Sequence, residues 1–217
     1  MNTIFYLLVS IAEWLALLLL TLAMFKFRFN GYWGQIILTS AVLSLLSHFV
    51  FQVIEQRMLA TILQPPVVFL FLWQMFRIQI FYAGIMTVYG YMGYTTVQLL
   101  ILLVAGQLGA PMESLAPSTM PMYAVQASTA AAVLLIVYAL YRSRIGYTFV
   151  PDFEYAPVAL RGVNLRLFLL SLLGFIWLAV SNIINFSTWA PTLLKLFVII
   201  ILGVLLYYAQ RKENAND

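Results

Sequence analysis

The chain has 217 residues, of which 64% are hydrophobic and 8% are charged. A soluble globular domain carries about 25% charged residues, so this composition excludes a soluble fold and predicts a polytopic membrane protein. The net charge of +4 does not indicate nucleic-acid binding, because the cations are scattered at the ends of apolar stretches. The chain has no cysteine, which removes disulfides, thiolate metal sites and cysteine nucleophiles.

Seven apolar stretches follow one another along the chain, and each is close to the roughly 20 residues that a helix needs to cross the hydrocarbon. They use nearly the whole sequence and leave room for one membrane domain, residues 1–217. We therefore predict an all-α, seven-helix transmembrane bundle. The stretches are 3–25, 34–54, 58–76, 78–105, 122–141, 165–185 and 189–208.

The basic residues between these stretches fall on alternate sides of the predicted bundle. Short loops rich in Lys and Arg stay in the cytoplasm, so the pattern predicts an external N-terminus and a cytoplasmic C-terminus. Arg57 is the only basic residue in the loops on the predicted external side. The residues that determine this topology are Lys26, Arg28, Arg77, Arg142, Arg144, Arg161, Arg166, Arg211 and Lys212.

The third stretch contains two consecutive prolines, Pro65 and Pro66. Because proline removes a backbone donor and kinks or starts a helix, this span is either a kinked helix from Met58 or a short helix that opens near Pro65. A re-entrant segment would leave six spans and move the C-terminus outside. The cations Arg211 and Lys212 favour the seven-span interpretation.

Three glycines, Gly84, Gly90 and Gly93, lie in the long fourth stretch. Small residues let the backbones of membrane helices approach closely. Their spacing does not form a GxxxG motif, and packing against a neighbouring helix is the interpretation that we favour.

Glu13 lies near the middle of the first stretch. An ionisable group at that depth is costly and usually faces the bundle interior or a water-filled cavity, so Glu13 is a candidate functional residue. The structural alternative is a neutral carboxyl that hydrogen-bonds to a neighbouring helix.

Further polar residues fall in the external halves of their helices. At 1.5 Å per residue, His48 and Lys195 come to a similar depth, and Glu13 lies one or two turns deeper. We therefore predict an outward-facing polar pocket in which Glu13 could reach Lys195. Alternatively, Lys195 extends to the outer interface and His48 is a hydrogen-bonded packing residue. The predicted ligand-binding residues are Glu13, His48, Gln52, Gln98, Asn182, Asn185 and Lys195.

Motifs for catalysis are missing from the sequence. There is one histidine, and there is no HExxH, GxSxG, P-loop or GxGxxG. Metal ligation would need a set of carboxylates that the predicted helices do not hold. We therefore expect no enzymatic activity, no catalytic residues, no cofactor and no metal.

The order of helices and turns resembles the membrane sensor domains of quorum-sensing histidine kinases of the accessory-gene-regulator type, which carry a GHKL-class kinase domain. The likeness lies in residues 77–106, which begin Arg-Ile-Gln-Ile-Phe-Tyr-Ala-Gly, in the internal loop before the sixth helix and in a last helix that ends Gln-Arg-Lys. It covers nearly the whole chain as a pattern of hydrophobicity and turns. It implies a multi-pass receptor in a bacterial plasma membrane that senses a secreted peptide.

The chain departs from that family because it ends at Asp217 without a kinase domain. We therefore expect a non-enzymatic sensor or accessory subunit that binds a peptide or small molecule at its external face. It would act through the segment 142–164 and its C-terminal tail on another membrane or cytoplasmic protein. The alternative is a substrate-binding or permease component of a small-molecule transporter. We expect the chain to lie in the lipid bilayer and not to bind nucleic acid.

Overall fold

Helices make up all the regular structure in the part of the chain that is described. The computed structural model describes residues 3–27, 29, 31–53, 57–108, 119–151, 157–183 and 189–216. Within these ranges the predicted all-α fold of seven helices is confirmed. The elements are α1 (Thr3–Met24), α2 (Trp33–His48), a π-helix (Phe49–Val53), α3 (Arg57–Gln74), α4 (Ile80–Gln107), α5 (Met120–Ser143), α6 (Val163–Ile183) and α7 (Trp189–Asn216).

Five helical segments among the described residues are long and apolar enough to cross a membrane. Because a span needs about 20 predominantly apolar residues, the chain is a multi-pass membrane protein. Which end of the bundle faces the cytoplasm stays a prediction from the basic residues. The five segments are Thr3–Met24, Trp33–Phe51, Ile80–Gln107, Met120–Ser143 and Val163–Val180.

The two prolines lie inside α3, which runs without interruption from Arg57 to Gln74. The sequence left two alternatives for the third stretch, a helix from Met58 or a short helix that opens near Pro65. The structure has the longer helix, which begins at Arg57, next to Met58. Each proline removes one hydrogen bond to a carbonyl one turn earlier. α3 is therefore weakened at these two positions, of which Pro65 is buried and Pro66 is exposed.

Two helices, α1 and α4, form the centre of the bundle. α1 packs against α2, α4 and α5, and α4 packs against all the other α-helices except α2. Residues 16–23 of α1 are all buried, as expected for a helix that is apolar on every side. By contrast, α6 exposes Leu169, Leu173 and Ile176, which in a membrane protein face the lipid.

A glycine permits the close approach of α1 and α4. A Cβ atom at Gly90 would lie 1.8 Å from Thr21 Oγ1, and one at Gly93 would lie 3.2 Å from Leu20 Cδ2. The packing interpretation is therefore confirmed for these two glycines. Gly84 differs, because a Cβ atom there would meet its nearest neighbour, Phe69 Cε2, at 4.0 Å, an ordinary van der Waals distance.

Cations occupy the turns that follow α1, α3 and α5. Lys26, Arg77 and Arg144 have φ angles of 49°, 53° and 53°, a left-handed conformation that is uncommon for residues other than glycine. The Tyr147 amide, just beyond α5, donates to the Met24 carbonyl of α1 at 2.8 Å. We call this the inner end of the bundle and the opposite end, where α1 begins, the outer end.

Candidate functional site

Glu13 faces the interior of the bundle. It lies halfway along α1, and Tyr94 Oη on α4 donates a hydrogen bond of 3.3 Å to Glu13 Oε1. Tyr94 is buried. A carboxylate offers two oxygens with about four acceptor positions, and Tyr94 occupies one of them. Glu13 is therefore held between the two central helices, and Tyr94 is its one hydrogen-bond partner among the described residues.

One hydroxyl joins α1, α2 and α3. Ser47 Oγ accepts hydrogen bonds from Trp14 Nε1 at 3.0 Å and from Gln64 Nε2 at 2.9 Å. Trp14 follows Glu13 directly, and Gln64 directly precedes the prolines of α3. The junction fixes the weakened part of α3 at the level of Glu13.

His48 lies next to this junction, at the last position of α2 before the π-helix. Its ring is 5.5 Å from the Tyr6 ring. Its Nδ1 atom is buried and has no hydrogen-bond partner among the described residues. A buried polar atom without a partner is costly, and π-helical turns are frequent at functional sites. Among the described residues, His48 therefore presents one buried ring nitrogen that lacks a hydrogen-bond partner.

The polar face of α4 carries two tyrosines and Gln98. Tyr91 packs edge-on against the Trp14 ring at 6.1 Å, and its hydroxyl is buried without a partner among the described residues. Gln98 is half-buried one turn beyond Tyr94, towards the outer end. We use the name outer polar cluster for Tyr6, Glu13, Trp14, Ser47, His48, Gln64, Tyr91 and Tyr94.

Several predicted residues cannot be compared with this cluster. The backbones of Gln52, Asn182 and Lys195 lie in the π-helix, α6 and α7, but their side chains lie outside the described part of the chain. Asn185 and Arg28 are outside it entirely. The contact between Glu13 and Lys195 therefore stays a prediction.

Sequence reasoning singled out Glu13 and His48 but missed the residues that contact them. Tyr94, which contacts Glu13, and Tyr6, which contacts His48, are ordinary residues for a membrane helix, so composition does not distinguish them. The spacing could have done so in α4. Tyr91, Tyr94 and Gln98 are three and four positions apart, and residues at that spacing share one face of a helix.

Most of the cations that are predicted to determine the topology are exposed at the inner end. Lys212 is different, because only 6% of its surface is exposed. The exposed ones are Lys26, Arg77, Arg142, Arg144, Arg161, Arg166 and Arg211.

No protein-family model, no curated protein and no solved structure matches this chain. What the site can bind is therefore inferred from its own side chains.

Within the described ranges, no three His, Asp or Glu residues form a group that could hold a metal ion. The outer polar cluster offers a carboxyl that accepts, an imidazole that can accept or donate, and hydroxyls that do both. Such a set complements a ligand with N–H donors.

Proposed function

We propose that the chain is a non-enzymatic membrane subunit of the sensor or receptor type and that the outer polar cluster recognises its ligand. The observation that carries the proposal is the inward-facing Glu13, which has one hydrogen bond, from Tyr94, in the described part of the chain. An ionisable residue inside a membrane span is by default a functional-site candidate. Its unused acceptor positions fit a peptide or a small amine, in agreement with the secreted peptide that the resemblance implies.

The same two helices connect the cluster with the inner end. α1 carries Glu13 and ends at Met24, whose carbonyl accepts a hydrogen bond from Tyr147 in the segment 142–164. α4 carries Tyr94 and begins at the inner end, where it contacts α7. A displacement of α1 against α4 by a ligand would therefore reach the segment 142–164 and the C-terminal part of α7. This supports output through a partner protein that reads the inner end.

Transport is a second candidate, and one observation favours it. The π-helix Phe49–Val53 contacts α3, which lacks two backbone hydrogen bonds at Pro65 and Pro66. In many transporters, neighbouring interrupted helices surround the substrate near the middle of the membrane. The two irregular segments flank the Ser47 junction, so a substrate at the outer polar cluster would lie between them.

Trp14 provides a direct test of ligand binding. A variant that keeps Trp14 as its single tryptophan is made by replacing Trp33, Trp73, Trp177 and Trp189 with Phe. In nanodiscs, it is titrated with short linear and cyclic peptides and with free amino acids. We expect a saturable change in Trp14 emission. We expect Glu13→Gln to weaken it by about tenfold or more, since a hydrogen bond to a charged group contributes about 1.5–3 kcal/mol.

The matched control is Tyr138→Phe, which removes a tyrosine hydroxyl from the exposed surface of α5 and should leave the titration unchanged. Equal affinity of Glu13→Gln and the parent would contradict the proposed site, as would the lack of a saturable response to every peptide and amino acid. Accumulation of the bound probe inside proteoliposomes would favour the transport function over the sensor.

A further inference from the structure

A second feature, separate from the outer polar cluster, is an apolar groove between α3, α4 and α6. Its volume is about 490 Å³. Gly84 lines the groove, and a Cβ atom there would meet Phe69 Cε2 at 4.0 Å. α3, α4 and α6 each contribute side chains to its walls, including Pro66, Phe69, Phe81, Phe168, Leu172 and Phe175.

The groove has the length of one membrane leaflet. Along α4 its lining runs from Ile80, the first residue of the helix, to Val88. Eight residues at 1.5 Å each correspond to about 12 Å, whereas half of the hydrocarbon core is about 15 Å thick. The groove therefore extends from the inner end to near the middle of the membrane.

The lining is apolar except for the hydroxyl groups of Thr87 and Ser171, which suits the hydrocarbon chain of a lipid. Water is a poor occupant, because apolar cavities stay dry.

Positive charge lies at the inner mouth of the groove. Leu160 and Ile80 line it there, and the exposed Arg161 follows Leu160 directly. The exposed Arg77 precedes Ile80 by three residues. The described lining residues include no acidic side chain. Two guanidinium groups at the boundary of the hydrocarbon suit a phosphate group, to which arginine binds with charge-assisted hydrogen bonds.

We propose that this groove is a binding site for an anionic phospholipid. One acyl chain fills the space between α3, α4 and α6, and the headgroup lies against Arg77 and Arg161. The proposal does not depend on the ligand of the outer polar cluster, because the groove lies in the inner half of the bundle. A bound lipid would brace α3 against α6 across the groove.

Native mass spectrometry of the purified full chain tests this proposal, with phosphatidylglycerol and phosphatidylcholine of identical acyl chains as the probes. The wild type is expected to retain one phosphatidylglycerol in preference to phosphatidylcholine. Leu172→Trp should reduce retention by about tenfold, because the indole takes up the volume that the acyl chain needs. The control is Leu173→Trp. Leu173 is exposed to nearly the same extent, 49% against 47%, but is not in the groove lining.

Two further variants separate the chain from the headgroup. Gly84→Leu fills the groove from α4 and should also abolish retention, which keeps the test valid if Leu172→Trp does not fold. Arg77→Gln combined with Arg161→Gln should preserve binding of a lipid but remove the preference for phosphatidylglycerol, whereas Arg211→Gln should not. Equal retention by Leu172→Trp and Leu173→Trp would overturn the proposal. So would equal retention of the two lipids by the wild type.

Discussion

Lys212 Nζ on α7 donates a hydrogen bond of 2.8 Å to Tyr82 Oη on α4. The ammonium also lies 4.3 Å from the centre of the Tyr82 ring and 4.7 Å from that of Phe149. Lys212 is four residues beyond the predicted apolar stretch 189–208, and burial lowers its pKa to about 8. Cation–π attraction of about 2 kcal/mol in a desolvated site offsets part of the cost of burying the charge.

The first prediction concerns the pH dependence of stability. Lys212 loses its proton near pH 8 in the native state and near 10.5 in the unfolded chain. Between these values the unfolded chain binds more protons, so the contribution of Lys212 to stability rises with pH in this window and is constant outside it. Relative to Lys212→Met, the wild type should gain stability from pH 8 to 10.5. The measurement is unfolding by SDS in mixed micelles, followed by circular dichroism.

The control for this prediction is Lys26→Met, which removes an exposed lysine from the same end of the bundle. This variant keeps Lys212 and should therefore show the same rise in stability from pH 8 to 10.5 as the wild type. Parallel stability curves for the wild type and Lys212→Met would show that Lys212 does not titrate there.

The second prediction concerns Glu213, whose hydrogen bonds connect the last turns of α7 to the segment 145–151. Its carboxylate accepts hydrogen bonds from the amides of Thr148, at 2.8 and 2.9 Å, and Phe149, at 3.2 Å, and from the Thr148 hydroxyl. Glu213→Ala leaves both amides without this partner, at a cost of about 1 kcal/mol, since Thr148 is exposed and water replaces part of the loss. Amide hydrogen exchange of residues 145–151 should accelerate.

Arg211→Ala is the matched control, because Arg211 is exposed two positions away on the same helix. Exchange in 145–151 should then match the wild type. If Glu213→Ala leaves exchange there unchanged, the segment is held by its other contacts, such as the bond from the Tyr147 hydroxyl to the Leu206 carbonyl.

The sequence predicted the helices well because length and hydropathy alone determine a membrane span. The predicted first stretch, 3–25, and α1 differ by one residue. The π-helix after His48 was not predicted, since no proline or glycine marks it and its hydrophobicity equals that of a regular helix. The sequence predicts an orienting role for Lys212. Its contact with Tyr82 depends on the packing of α4 against α7, which the sequence does not show.

The third prediction concerns the α1–α4 contact. Gly90→Ala places a Cβ atom 1.8 Å from Thr21 Oγ1, so the Thr21 side chain or the two helices must shift, at a cost of about 1–3 kcal/mol for overpacking. Gly203→Ala is the control, because this exposed glycine of α7 has no atom within 4 Å of an added Cβ. It should raise stability by up to about 1 kcal/mol through helix propensity. If Gly90→Ala and Gly203→Ala have equal effects on SDS unfolding, Gly90 does not lie in a tight contact.

The fourth prediction tests the bond between Tyr94 and Glu13 by a double-mutant cycle. Tyr94→Phe leaves the carboxyl without its donor, and Glu13→Leu leaves the hydroxyl without its acceptor, so each should cost about 1–3 kcal/mol. The double variant removes both groups and should cost less than the sum. The 3.3 Å distance suits a coupling of about 1 kcal/mol, above the roughly 0.5 kcal/mol that independent sites show. Additive costs in SDS unfolding would mean that the two side chains do not interact, whereas Glu13→Gln, which keeps an acceptor, should be the mildest single change.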